Sequence, residues 1–376
     1  MLFGGLFRLL VSLQSSACPA QQEQGIPPHI LTFVSIPPQS YQTSALTDSL
    51  GNVDDEQKAE NKEFQISFTI FGRQFDLELQ PTDLFAEEAE HVSVDDGIEA
   101  REESTAPFYS GTVAGEPESW VRVRTQDGVM DGMIRTADEV YFKEPGTYFF
   151  TDVAVNAMVA FRLSDTSSDW EPGSCALDQP AVGAEMSQRS AFHEIPEEYA
   201  SFVSELQQVM AESGTLMEAE IGLVADCELY QEHGSNTATY RQNIVNQVRG
   251  ILENEAGLKL KITQTVVHTS SNDPFTGTTS PSSLLNEFAS YKGNSSNPVY
   301  GTDLTHLFTN RNLDGSAIGV AWLSTSRGNY YAAGLSEDNP FDNKSMVFLA
   351  GHNLASRHDN QSGSACASTS SGYVMN

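Results

Sequence analysis

Two hydrophobic periodicities, one in each half of the chain, set the narrowest limit on its fold. Between residues 64 and 163, apolar and polar residues alternate, as in FQISFTIFGRQFDLELQ and WVRVRTQDGVMDGMIRT. This alternation predicts an antiparallel β-rich domain over residues 62–163, with hairpin turns at Gly72 and at the Gln-Asp-Gly sequence. The acidic stretch over residues 86–105 interrupts the alternation, and we expect it to be a loop.

The C-terminal half changes to strands that alternate with helices. EIGLVADCELY and LKLKITQTVVHTS predict strands, TATYRQNIVNQVRGILENEAG predicts a helix that ends at Gly257, and SSLLNEFASYK predicts another helix. DLTHLFT and GSAIGVAWLST predict further strands. Residues 217–376 are therefore predicted to form a mixed α/β domain, and the whole chain to be α+β.

The segments outside these two domains carry little periodicity. Residues 1–20 hold an apolar run that is too short to span a bilayer and is typical of a signal peptide. We expect residues 21–61 to be a poorly ordered leader and residues 164–216 to be a linker with one short helix. No later run is long and apolar enough to span a membrane, so we expect a secreted protein.

The chain is strongly acidic. Its 51 acidic and 20 basic residues give a formal net charge of −31. A field of this sign repels nucleic acids and anionic membranes, so neither is expected as a partner. The charge otherwise indicates only colloidal solubility.

Two histidines in VFLAGHNLASRHD give the strongest chemical signal in the sequence. His352 and His358 are six residues apart, and Asp359 follows directly. In an unbroken helix, six residues turn the chain by about 600°, so the two imidazoles would point in different directions and could not share a metal. They converge only if the helix breaks between them. The alternative is a pair of surface histidines on an ordinary helix.

The sequence G-H-N-L-A-S-R-H-D resembles the second half of the zinc motif of the reprolysin (ADAM-type, adamalysin) metzincins, H-E-x-G-H-N-x-G-x-x-H-D. GSACASTSSGYVMN is similar to the cysteine and Met-turn segment of that family. YSGTVAGEPESWVRVRTQDGVMDGMIRTADEVYFKEP resembles the reprolysin prodomain. The resemblance covers roughly residues 62–376, and it implies a zymogen with a β-rich prodomain followed by a metzincin catalytic domain over residues 217–376.

The resemblance also implies a chemistry. In this family three histidines hold a zinc ion, and a glutamate takes a proton from the zinc-bound water as that water attacks a peptide carbonyl. The resemblance assigns His352 and His358 to the zinc and places Met375 beneath it. It makes Cys175 a candidate cysteine switch, an ordinary loop cysteine being the alternative. The expected partners are protein or peptide substrates of a monomeric, secreted metalloendopeptidase.

The H-E-x part of the motif is missing, however. Ala350 is followed directly by Gly351, where the family carries His-Glu-x, so the first zinc ligand and the catalytic glutamate are absent. No catalytic residue is therefore assigned. Ala355 stands where the helix-breaking glycine is usual. The sequence given stops one residue after Met375, and we expect the last helix and one wall of the substrate pocket to be absent.

As written, the chain is expected to hydrolyse peptides very poorly or not at all. Three explanations are open: a defective or mis-assembled copy of an active gene, a non-catalytic pseudoprotease that acts as a protein-binding module, or a metal site completed by Asp359 or by a second chain. The disulfides are open as well. Cys227 and Cys366 are candidates for a bond within the catalytic half, and the alternative leaves Cys366 without its partner.

Overall fold

The fold is known from a computed structural model. It describes residues 34–36, 42–45, 64–95, 98–103, 108–126, 129–150, 153–154, 156–165, 216–315, 317–322, 330–338 and 353. The predicted signal peptide and the helix predicted in the linker lie outside the described residues. Strands and helices together form an α+β fold, as the sequence predicts.

An antiparallel sheet dominates the N-terminal half. Among the described residues it has nine strands in the order β1-β11-β10-β9-β8-β7-β4-β3-β2. Their bounds are β1 (Val34–Ile36), β2 (Gln42–Ala45), β3 (Phe64–Ile70), β4 (Arg73–Pro81), β7 (Phe108–Val113), β8 (Glu116–Gln126), β9 (Val129–Arg135), β10 (Val140–Pro145) and β11 (Met158–Arg162). The short strands β1 and β2 come from residues 21–61, which we expected to lack regular structure. Each is held by pairing with a longer strand, β11 or β3.

The alternating pattern of the sequence builds this sheet locally. Ile70 pairs with Arg73, and the two residues between them, Phe71 and Gly72, have φ values of 51° and 72°. Two successive positive φ values are typical of the two-residue type I′ hairpin turn. The inward residues of β3 and β4 are buried in one apolar cluster, in which Phe75 has no exposed surface. The predicted hairpin at Gly72 is therefore confirmed.

A second, mostly parallel sheet occupies the C-terminal half. Within the described ranges it has seven strands in the order β15-β16-β14-β12-β13-β5-β6. Its C-terminal strands are β12 (Met217–Ala225), β13 (Leu258–His268), β14 (Leu304–Thr309), β15 (Gly319–Ala321) and β16 (Ala333–Glu337). β12 pairs in parallel with β13 and β14, β14 pairs in parallel with β16, and β15 is antiparallel at the edge. Three α-helices of more than one turn accompany these strands in the described part: α1 (Cys227–His233), α2 (Thr237–Ala256) and α3 (Pro281–Lys292).

The expected acidic loop at residues 86–105 is wrong. This stretch forms a hairpin of β5 (Phe85–Asp95) and β6 (Ile98–Glu103), and β5 pairs in parallel with β13. The alternation is hard to see because Val92 is the one buried residue of β5, which lies between β13 and the edge strand β6. An N-terminal hairpin thus completes the C-terminal sheet.

Helix α2 lies between the two sheets. Its apolar side, with Ile244, Val245, Val248 and Leu252, packs against β12 and β13 in one core cluster. Its opposite, polar side contacts β8 and β9 of the N-terminal sheet. The helix ends at Gly257, which has φ 64° and ψ 25°, and this left-handed conformation is the termination that the sequence predicts.

Strand β12 is shorter than the sequence predicts. EIGLVADCELY was expected to be one strand, but β12 ends at Ala225 and α1 begins at Cys227. Asp226 causes the change, because its carboxylate accepts a hydrogen bond from the Leu229 N–H group (3.0 Å) and caps the helix.

Candidate metal centre

Asn353 is the only described residue of the predicted metal-binding segment. It is buried, and its Nδ2 group donates hydrogen bonds to the carbonyl oxygens of Trp322 (2.7 Å) and Ala333 (3.2 Å). Trp322 directly follows β15, and Ala333 begins β16. The residue after His352 is therefore fixed to one end of the sheet. The other predicted site residues, which lie outside the described residues, are His352, His358, Met375, Cys175 and Cys366.

The donor set does not fit a catalytic zinc ion. The sequence supplies two histidines at the motif, whereas a catalytic zinc site uses three protein ligands and a water molecule. Within the part of the chain that the structure describes, no three His, Cys, Asp or Glu side chains lie close enough together to hold a metal ion. The two histidines of the motif are therefore one protein ligand short of such a site.

Cys227, the first residue of α1, is disulfide-bonded. Its side chain is buried, and its N–H group donates a hydrogen bond to Oδ2 of Asp273 (3.1 Å). Cys366, the partner suggested by the sequence, lies outside the described residues, so the Cys227–Cys366 pairing stays a prediction. The disulfide fixes the start of α1 next to a buried ionic cluster.

Arg311 is the centre of this ionic cluster, which sequence analysis missed. Its guanidinium lies 3.3 Å from Oδ2 of Asp226, 3.1 Å from Oε2 of Glu228 and 3.9 Å from Oδ2 of Asp273. Asp226 follows β12, Asp273 follows β13 and Arg311 follows β14, so the cluster lies at the carboxyl ends of neighbouring parallel strands. This edge of an open α/β sheet commonly holds ligands.

Two carboxylates of this cluster, those of Asp226 and Asp273, have raised pKa values. Burial, followed by the negative charge of Glu228, raises the pKa of Asp226 to about 7, while Arg311 acts in the opposite direction. Burial also raises the pKa of Asp273. Since Arg311 contacts all three carboxylates, the cluster is an internal ion network that joins three loops. No sequence motif marks it, because its members are 85 positions apart from first to last.

His233 and Asp338 form a second polar pair at this end of the sheet. Nε2 of His233 lies 2.6 Å from Oδ2 of Asp338, and the Tyr240 hydroxyl donates to Oδ1 of Asp338 (3.0 Å). The His233 ring stacks on Tyr240, with ring centroids 4.1 Å apart, and meets the edge of Tyr148 from the N-terminal half at 5.4 Å. The pair therefore links α1, α2, the end of β16 and the N-terminal half.

His306 is a structural histidine. It is buried in β14, and its Nε2 atom lies 3.0 Å from Oγ of Ser336 in the neighbouring strand β16. Burial, and to a smaller extent the charge of Arg241, lowers the pKa of His306 to about 3. The imidazole is therefore neutral, and its Nε2 atom is hydrogen-bonded to Ser336 within the sheet.

Residues 216–376 match the model of the metallo-peptidase family M12, in its Reprolysin_5 form. The match begins next to β12 and includes the predicted metal-binding segment. Because of this similarity we call residues 216–376 the M12 segment, and the N-terminal sheet with the β5–β6 hairpin lies outside it.

One solved structure similar to this chain is titled "Structure of a chaperone-substrate complex". It is 19% identical, and the match covers 39% of this chain and 25% of that chain, with a TM-score of 0.32. The chain thus spans about a quarter of the length of that relative, and the likeness carries no argument about function. Among the described residues, no helix has the length and apolar character needed to cross a membrane.

Proposed function

We propose that this chain is a secreted zinc metalloendopeptidase precursor of the M12 type whose protease unit, as written, is not hydrolytically competent. The match of residues 216–376 to the M12 family model is the observation that carries the proposal. M12 peptidases are normally zinc-dependent, and the N-terminal antiparallel sheet takes the place of a prodomain. The substrates are proteins or peptides, and the chain acts as a monomer.

In this proposal His352 and His358 are the remaining part of the metal shell, Met375 supports it from below, and Cys175 is the candidate cysteine switch. The anchoring of Asn353 supports the assignment, because it ties the H-N sequence of the motif to the ends of β15 and β16. The missing His-Glu-x falls between Ala350 and Gly351. A catalytic zinc ion would supply an activated water, but the group that accepts the proton of that water is absent.

A second candidate is a pseudoprotease that binds other proteins without cleaving them. The observation in its favour is the same donor set, since two histidines without the glutamate leave a protease scaffold without its base. Restoring the missing residues separates the two functions.

The test inserts His-Glu-Leu between Ala350 and Gly351 of the full chain. Two matched insertions serve as controls: His-Gln-Leu restores the ligand without the base, and Ala-Ala-Leu restores only the length. Zinc content is measured by atomic spectroscopy, and casein cleavage is measured with and without chelator, before and after limited proteolysis. We expect about one zinc per chain for both histidine insertions, and chelator-sensitive cleavage for His-Glu-Leu alone.

Each outcome bears on the proposal. Chelator-sensitive cleavage by the unaltered chain would overturn the assigned loss of activity. Absence of zinc from the His-Glu-Leu variant would refute the metal-site assignment. A variant that binds zinc but cleaves nothing after proteolysis would favour the protein-binding alternative.

A further inference from the structure

The turn that follows helix α3 carries a chemical signal that the proposed function does not use. It contains Asn294-Ser295-Ser296, an N-x-S acceptor sequence for N-linked oligosaccharides. Two more sequences of this type begin at Asn343 and Asn360, which lie outside the described residues. The turn at Asn294 is therefore the one acceptor sequence of this type whose surroundings the structure describes.

The backbone leaves α3 through a tight turn that holds the acceptor asparagine at the surface. The helix ends at Lys292, and the Asn294 N–H group donates a hydrogen bond to the Tyr291 carbonyl oxygen (3.2 Å). The Asn294 carbonyl oxygen in turn accepts from the Asn297 N–H group (3.0 Å). Asn294 and the two serines after it are exposed. An oligosaccharide joined here extends into water and leaves the helix undisturbed.

The side chain of Asn294 is held by its oxygen and is open at its nitrogen. Its Oδ1 atom accepts a hydrogen bond from the Ser296 N–H group (3.0 Å), which makes an Asx-turn. In the described part of the chain, no acceptor engages its Nδ2 atom. Asn297 is different, because its Nδ2 group donates to the Tyr291 carbonyl oxygen (2.6 Å) and the residue is partly buried. The Asx-turn thus presents the nitrogen that receives a sugar next to Ser296, whose hydroxyl the acceptor sequence requires.

Three exposed tyrosines flank this turn. Five large apolar side chains are exposed in the described part of the chain, and three of them are Tyr300, Tyr330 and Tyr331, which are 53%, 38% and 42% exposed. Tyr300 ends the run of turns that follows Asn294. A Cβ atom placed on Gly293 would lie 2.5 Å from Cδ2 of Tyr330, so the Tyr330 ring lies directly against the residue before Asn294. Exposed apolar groups that gather at one place indicate a surface that another group covers.

Tyr330 is held in place by its neighbours. Its hydroxyl lies 2.7 Å from Oγ of Ser290 in α3, and its ring meets the ring of Tyr331, with centroids 4.9 Å apart. Tyr331 in turn meets the ring of the buried Trp322 at 5.1 Å. A side chain that is already fixed loses little conformational entropy when a ligand covers it. The negative face of its ring attracts the C–H groups on the apolar face of a sugar ring, so Tyr330 offers a preformed contact for a sugar on Asn294.

We propose that Asn294 carries an N-linked oligosaccharide and that the first sugar covers the ring of Tyr330. In the transfer, Nδ2 of Asn294 forms a bond to the anomeric carbon of the sugar, and the bond from that carbon to an oxygen of a polyprenyl diphosphate breaks. The diphosphate leaves with the electron pair, and one amide proton passes to a base of the transferase. The donor is a polyprenyl-diphosphate oligosaccharide of the secretory pathway, so this inference rests on the proposed secretion.

The first experiment measures the occupancy of Asn294 in the full chain. The chain is produced in cultured animal cells twice, once with its own N-terminus and once with residues 1–20 replaced by a secretion signal of known efficiency. An amidase then releases N-linked glycans in heavy-oxygen water, and mass spectrometry reads the conversion of Asn294 to labelled aspartate. We expect most molecules to be labelled at Asn294.

The two N-termini separate the site from the route. Labelling of Asn294 only with the supplied signal would refute the predicted signal peptide and would still support the site. An unlabelled Asn294 in chains from which the supplied signal has been removed would overturn the proposal. This measurement does not require that any variant folds.

Two serine substitutions in the turn form a matched pair. Ser296→Ala removes the hydroxyl that the acceptor sequence requires and leaves Asn294 in place, so we expect the label at Asn294 to be lost. Ser295→Ala makes the same change at the neighbouring exposed position, where the acceptor sequence accepts any residue except proline, and we expect the label to remain. Equal labelling of the two variants would overturn the assignment of the site.

The second experiment tests the contact with Tyr330. The chain is produced in cells that make only mannose-rich glycans and is trimmed by an endoglycosidase that leaves one sugar on each modified asparagine. We expect its melting temperature to exceed that of Ser296→Ala, treated in the same way, by about 1–3 °C. The difference should vanish when both chains also carry Tyr330→Ala, and it should remain with Tyr330→Phe, which keeps the ring. A difference of unchanged size in the Tyr330→Ala pair would overturn the proposed contact.

Discussion

Glu144 of β10 gives the sharpest prediction about pH. Its side chain is partly buried between the N-terminal sheet and α2, where Gln247 of α2 hydrogen-bonds to it. Burial, followed by the charge of Asp131, raises the pKa of Glu144 to about 8, although Arg124 and Lys143 act against the rise. Glu144 is therefore mostly protonated at pH 7 in the folded protein and ionised in the unfolded chain.

The sign of the effect follows from proton binding. Between pH 4.5 and 8, the folded state keeps a proton that the unfolded state has released, so the free energy of unfolding falls as pH rises. The difference of 3.5 pH units, at about 1.4 kcal/mol per unit, sets a ceiling of about 5 kcal/mol. Because the side chain is partly exposed and water screens it, we expect about 2 kcal/mol of this loss to be observed.

The neighbouring Lys143 acts in the opposite direction at higher pH. Burial lowers its pKa from 10.5 to about 8, with Asp131 and Glu144 opposing the shift. Between pH 8 and 10.5 the unfolded state holds the additional proton, so stability rises with pH. Together, Glu144 and Lys143 give the free energy of unfolding a minimum near pH 8. Tyr148, which lies beside the same charges, has its pKa raised by burial and does not ionise in this range.

The assay is urea unfolding of the full chain and of Glu144→Gln at pH 5, 6.5 and 8, followed by tryptophan fluorescence. Glutamine imitates the protonated acid, so the two proteins should be equally stable at pH 5, and the variant should be about 2 kcal/mol more stable at pH 8. The control is Glu118→Gln, at an exposed position in β8. Its free energy of unfolding should change with pH in the same way as that of the unaltered chain. A constant difference between Glu144→Gln and the unaltered chain at all three pH values would refute the reasoning.

Two further predictions use the same unfolding measurement. Gly250→Ala should destabilise the chain by about 1–2 kcal/mol despite the better helix propensity of alanine, because the new methyl group meets Trp120. The control is Gly277→Ala, since no atom lies within 4 Å of a Cβ atom at that position. A Gly250→Ala variant that is more stable than the unaltered chain would contradict the close contact. Arg311→Met should cost about 3–5 kcal/mol at pH 7, because three buried carboxylates lose their cation. That cost should shrink towards pH 5, since burial raises the pKa of Asp226 to about 7, and a cost independent of pH would refute the role of charge.

Local signals in the sequence were sufficient for much of the fold. The left-handed glycine after α2, the turn at Gly72 and the alternating strands of the N-terminal sheet are each determined by a few consecutive residues. The helix predicted over SSLLNEFASYK is α3, which Ser280 caps by accepting a hydrogen bond from Ser283 N–H. Such elements are predictable because the backbone conformation and the residue that imposes it are neighbours in the chain.

The β5–β6 hairpin shows where local signals fail. Its residues read as an acidic loop because β5 has few apolar side chains, and its stability comes from pairing with β13, about 170 positions later. The sequence nevertheless contains Asp-Gly at positions 96 and 97, which is the strongest short-range hairpin signal. The Arg311 network and the His233–Asp338 pair could not be predicted for the same reason, because their partners come from separate elements that are far apart in the sequence.

The candidate metal centre is the opposite case. Its residues are contiguous in sequence, so the motif, its missing His-Glu-x and its two histidines could be identified without any structure. The structure adds the position of Asn353, which no pattern could supply, because its two acceptors are main-chain carbonyls at the ends of β15 and β16.

The polar side of α2 connects the fold with the proposed precursor role. Without the N-terminal sheet, the side chains of Asn243, Asn246 and Gln247 would be expected to face water, yet all three are buried in the complete chain. Surfaces that never separate are usually apolar, whereas those of partners that come apart carry more polar groups. A helix with one apolar side for its own sheet and one polar side for the N-terminal sheet fits an M12 segment that can exist in both states. The polar side can be solvated once the N-terminal fragment leaves, and until then Asp131 and Arg124 hold it in place.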